Sequence, residues 1–113
     1  MTFSDITRSF PAERATIGRL EELLRSGSWG SRTFDHLVAD TQPTSEASLA
    51  LILEQLAAGG VLRHAYRIYS HGSPKPIDEV NTWSDIPDEI HDSHTGSLAK
   101  VELDDVKVIY SAR

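Results

Sequence analysis

The sequence predicts an α+β fold: three helices followed by a small antiparallel sheet. Three observations carry this. Apolar residues recur at helical spacing in three blocks between Phe10 and Ala58. Gly59-Gly60 then interrupts the chain, and from Val61 the pattern changes to alternation. Two later apolar runs, residues 98–103 and 106–110, read as short strands on either side of Asp104-Asp105.

Residues 1–8 are polar and are expected to fray. The first predicted helix covers about residues 10–26. Pro11 is tolerated in a first turn, Ile17, Leu20, Leu23 and Leu24 recur at helical spacing, and Gly27 is a natural stop. A second, short helix holds Phe34, Leu37 and Val38, with Ser31 or Thr33 as its cap. It ends before Gln42-Pro43, because a residue ahead of proline avoids the helical region. Thr44 or Ser45 caps the third helix, and Glu46 sits near the positive end of its dipole. Leu49, Ile52, Leu53 and Leu56 form its inward stripe. Residues 61–69 then read as a half-buried strand, with Leu62, His64, Tyr66 and Ile68 on one face and Arg63, Ala65, Arg67 and Tyr69 on the other. The glycine- and proline-bearing segment 71–76 turns the chain. Residues 77–97 are expected to be irregular, with one helical turn near 84–90 pinned by Trp83, Ile86 and Ile90, and a loop over 91–97.

The order helix, short helix, turn, third helix, glycine and strand resembles the winged helix-turn-helix superfamily. The residues that carry this are Thr33 to Thr41, Ser45 to Leu56, and the joint Leu56-Ala57-Ala58-Gly59-Gly60-Val61-Leu62. At that joint the chain must leave a helix in a left-handed conformation and re-enter as a strand, a step suited to glycine. The resemblance implies a three-helix winged-helix domain over residues 9–113. It covers the first 70 residues best. Between Tyr69 and Leu98 the chain departs from a plain hairpin, which implies an elongated acidic wing.

Composition narrows the function classes. The 113 residues fit one domain, roughly 65% of whose unfolded surface is buried on folding. No cysteine is present, so thiolate catalysis, disulfides and cysteine zinc sites are excluded within the chain. No signal peptide or membrane span is visible, and the expected location is cytoplasmic. The formal net charge is −6 and is uneven. Residues 78–105 hold Asp78, Glu79, Asp85, Asp88, Glu89, Asp92, Glu102, Asp104 and Asp105 against a lone Lys100. Such a field repels phosphate backbones.

Three groups of residues are candidate sites. The third helix has two acids, no base and one amide, Gln55, so it is poorly suited to reading a DNA groove. It carries a surplus apolar residue, Leu51, beyond its inward stripe. Leu51, Glu54 and Gln55, with Arg63, Arg67 and Tyr69 of the following strand, are therefore the expected protein-binding set. Apolar, arginine and tyrosine side chains together suit an interface. The alternative is a winged-helix DNA-binding regulator, in which Arg32, Arg63 and Arg67 would hold phosphates. His91 and His94 stand near Asp88 and Asp92, a spacing that zinc ligands also use. They fall in a segment that reads as a turn, and no metal is assigned. Neither a nucleophile elbow nor a glycine-rich phosphate loop occurs. The expectation is a non-catalytic module without cofactor, an adaptor or assembly subunit that binds a protein partner or a second copy of itself.

Overall fold

Phe3, Ile6 and Phe10 stand at helical spacing, and the first two lie on a helix rather than a frayed end. The computed structural model describes residues 3–71 and 73–113. Met1 and Thr2 of the expected frayed segment, and Gly72 of the expected turn, lie outside the described residues. Helix α1 spans Phe3–Ser9 and buries Ile6. The Thr7 hydroxyl donates to the Phe3 carbonyl, and the Phe10 amide donates to Ile6. One buried isoleucine removes the reason to fray, since ordering needs an apolar anchor more than a long apolar run. The described residues thus contain four α-helices rather than three.

A 3-10 turn at Pro11–Glu13 leads into α2, Arg14–Arg25, which is shorter than the single helix expected over 10–26. A three-residue strand, β1, covers Ser31–Thr33. Helix α3 spans Phe34–Thr41; of the two expected caps it is Thr33 whose side chain accepts from the His36 amide. Gln42 ends the helix at φ 48°, a left-handed conformation ahead of Pro43. Helix α4 spans Glu46–Ala58, capped by the Ser45 hydroxyl, which accepts from the Ser48 amide. Its expected inward stripe is realised: Leu49, Ile52, Leu53 and Leu56 are all buried. Beyond it, Gly60 adopts φ 79° and the Val61 amide returns to the Leu56 carbonyl. A side chain there would be strained, so the glycine is what lets a strand follow at once.

Strand β2 covers Leu62–Tyr69 and β6 covers Val106–Ala112. Between them lie β3 (Pro76–Val80), a 3-10 turn at Trp83–Asp85, the hairpin strands β4 (Glu89–Asp92) and β5 (Ser97–Lys100), and a second 3-10 turn at Leu103–Asp105. The elongated segment expected to be irregular therefore contains three short strands, β3, β4 and the start of β5, separated by turns. Ile90, expected in a helical turn, lies on β4, and the predicted run 98–103 is strand only as far as Lys100. Strand order is β1-β6-β2-β3 in one sheet and β4-β5 in the other. The pairs β2–β3 and β4–β5 are antiparallel. Proline opens β3, which sits at the end of that order, where a missing donor is tolerated.

The chain groups into two compact units. The first runs to Arg63 and takes in Tyr110–Arg113; the second is His64–Ile109. In the first, the buried Trp29 indole donates to the Tyr110 carbonyl at 2.9 Å. The Glu13 carboxylate, itself buried, accepts from the Thr44 amide at 2.9 Å and so ties the 3-10 turn to the entry of α4. In the second, a buried Asp92 organises the β4–β5 turn.

Candidate functional site

The exposed side of α4 belongs to the first unit. Its position follows from helical geometry: once Leu49, Ile52, Leu53 and Leu56 face the core, Ala47, Leu51, Glu54 and Ala58 are left outside. Leu51 is 57% exposed, although Ile52 and Leu53 beside it are fully buried. Gln55 is half-buried and Glu54 exposed. Glu54 nevertheless has a structural task, since its carboxylate accepts from the hydroxyl of buried Tyr110 at 2.7 Å. That bond spans 56 residues and has no signature in local sequence.

The three arginines of the alternative set have different surroundings. The Arg32 guanidinium is committed within the first unit. It donates to the Trp29 carbonyl at 3.0 Å, the Ser28 carbonyl at 3.1 Å and Asp40 at 2.6 Å. It clamps the loop before β1 to α3 and has little left to offer a phosphate. Arg63 lies in the first unit and is exposed. Arg67 lies in the second, where two of its nitrogens reach one oxygen of Glu79 on the paired strand, at 3.2 and 3.3 Å. Burial works against its charge, but hydrogen bonding and attraction from Tyr69 and Glu79 outweigh that and hold its pKa above the ordinary arginine value. Tyr69 is half-buried on the same strand. The protein-binding set thus falls on both units: Leu51, Glu54, Gln55 and Arg63 on the first, Arg67 and Tyr69 on the second.

No protein-family model, no curated protein and no solved structure matches this chain. The residues themselves therefore carry any functional reading.

The histidine and carboxylate group is a built turn. Asp92 accepts from the Ser70 hydroxyl at 2.6 Å and from the His94 amide at 2.8 Å, and its carbonyl accepts from Gly96. His94 Nε2 lies 3.2 Å from the Pro76 carbonyl oxygen. Among the described residues no three His, Asp or Glu side chains are grouped as metal ligands would be. The bond from Ser70, aided by the His94 and Thr95 amides, holds the Asp92 carboxyl below the usual carboxylate range against the opposing effect of burial.

A depressed carboxyl pKa makes stability depend on pH in one direction. The ionised Asp92 contributes fully above the unfolded value of about 3.9 and loses its contribution as pH falls through the lower folded value. Asp92→Asn is therefore expected to lower the unfolding midpoint at pH 6, with the gap to the parent closing in strong acid. Thermal unfolding of both proteins across pH 2–7 checks this; a gap that does not change with pH would remove the assigned role.

The second unit also holds a groove lined by apolar side chains and two carboxylates. Trp83, assigned above as a pin for a helical turn, is 57% exposed. Its ring meets Tyr66 edge-on, with centroids 5.5 Å apart. Leu103, also exposed, lines the same groove, whose volume is about 190 Å³. Its signal in the sequence was a tryptophan standing in a run of acids.

Proposed function

We propose that the chain is a non-catalytic protein-interaction module of the winged-helix type, an adaptor or assembly subunit, with α4 as its docking helix. The run α2, α3, α4, left-handed Gly60 and β2 supports the winged-helix reading, because it follows the order of elements of that superfamily. The observation that carries the docking role is Leu51. Burying a leucine is worth about 1.5–3 kcal/mol, and this one is left in solvent beside a stripe that is otherwise complete. Ala47 and Ala58 flank it on the exposed side, so another protein surface can approach closely. The helix carries Glu46 and Glu54 and no base, which favours a protein partner over a phosphate backbone. The commitment of Arg32 to Asp40 and two carbonyls weakens the DNA-binding alternative further.

The test is a Leu51→Asp variant studied beside the parent by light scattering over a concentration series, and by photo-crosslinking from position 51 in cells. The parent is expected to associate with itself or with a protein crosslinked at that position. The variant is expected to lose this while keeping its unfolding midpoint. A strict monomer with no crosslink, or a variant that unfolds, would return α4 to a purely structural role. Binding of duplex DNA is expected to be no tighter than the non-specific range of about 10⁻⁴–10⁻⁶ M at physiological salt. A nanomolar complex with a defined DNA sequence would overturn the assignment.

A further inference from the structure

We infer that the Trp83 groove of the second unit binds a lysine- or arginine-bearing segment of a protein partner. This surface is separate from the face of α4. Its apolar lining is Trp83, Ile86, Pro87, Val101, Leu103 and Val106. Apolar side chains grouped at a surface mark interaction sites, and Trp83 and Leu103, which line one groove, are 57% and 73% exposed. The groove is also held in shape. Tyr66 packs edge-on against the Trp83 ring, the Val101 amide donates to the Asp88 carbonyl at 2.9 Å, and Glu102 and Asp105 cap the adjoining turn reciprocally.

Charge decides the occupant. Asp88 and Glu102 line the groove beside its apolar residues, and both are exposed. The unit as a whole has nine carboxylates against Arg67, Lys75, Lys100 and Lys107. A nucleic acid or an acidic peptide would be repelled. A lysine or arginine has an aliphatic stem for the apolar lining and a cationic head for the carboxylates, and it stacks favourably on an indole face. At about 190 Å³ the groove holds a volume of about six waters, the scale of one long side chain.

The experiment is a titration of the full chain, isotopically labelled, with two blocked pentapeptides: Gly-Lys-Leu-Lys-Gly and its charge-reversed counterpart Gly-Glu-Leu-Glu-Gly. The Trp83 indole N–H signal and the backbone amides of residues 86–88 and 101–103 are followed by NMR. The lysine peptide is expected to move these signals saturably, and the glutamate peptide to leave them in place. Trp83→Ala and, separately, Asp88→Lys are each expected to weaken binding about tenfold while the remaining spectrum keeps its dispersion. Raising salt is expected to weaken the parent complex. Leu51→Asp is expected to leave the titration unchanged, which separates this site from α4. Equal shifts with both peptides, no shift with either, or shifts spread over every acidic residue would each overturn the inference.

Discussion

Trp29→Ala is expected to destabilise the first unit by about 3–5 kcal/mol, the range for removing a buried aromatic residue. Trp29 is 2% exposed, so the substitution opens a large cavity rather than trimming a surface. It also takes the indole donor from the Tyr110 carbonyl, and losing a buried hydrogen bond adds a cost of its own. Trp29→Phe separates the two effects. It retains most of the apolar bulk and loses the N–H, so an intermediate cost is expected. Trp83→Ala is the control in the same chain. That ring is mostly in solvent and loses chiefly its edge contact with Tyr66, worth about 0.5–1.5 kcal/mol. Denaturant titration of the three variants checks the order. A Trp29→Ala protein as stable as Trp83→Ala would mean that the Trp29–Tyr110 contact is not part of the core.

Leu53→Ala is expected to cost about 2–5 kcal/mol. Leu53 is fully buried among the residues α4 turns inward, and it is flanked by Ile52, also at 0% exposure. Leu51→Ala removes the same atoms two residues earlier and is expected to change stability by no more than about 0.5 kcal/mol, since little of that side chain is withdrawn from water. The contrast tests the orientation of α4 directly. Equal costs at the two positions would require a rotated helix and would withdraw Leu51 as a docking residue.

Features encoded within one or two turns were legible from sequence. The inward stripe of α4, the caps at Thr33 and Ser45, the left-handed exit at Gly60 and the strand that follows all rest on neighbouring residues. What was misread depends on distant partners. Pro76-Ile77-Asp78-Glu79-Val80 has poor strand propensity, and it becomes a strand because β2 offers it a ladder from Tyr66 to Tyr69. Residues 89–90 read as the end of a helical turn and 91–92 as loop until Ile90 and His91 find Ala99 and Leu98 opposite them. Phe3, Ile6 and Phe10 already stood at helical spacing, and the polar residues between them hid the pattern. For the candidate sites, Leu51 was identifiable as surplus to a countable stripe. The tasks of Arg32 and Glu54 were not, because Asp40 and Tyr110 meet them only in the folded chain. The groove escaped notice for the same reason: Trp83 and Leu103 are twenty positions apart in sequence.

The Trp29–Tyr110 bond has a consequence for synthesis. Its partners are separated by 81 residues. At ribosomal speeds of 5–20 residues per second, Tyr110 is made about 4–16 s after Trp29. Only after Ala58 has been made, in the later part of that interval, are the residues of α2, α3 and α4 all present, and they are then still without β6. The indole of Trp29 thus acquires its hydrogen-bond acceptor only when the chain has been made as far as Tyr110.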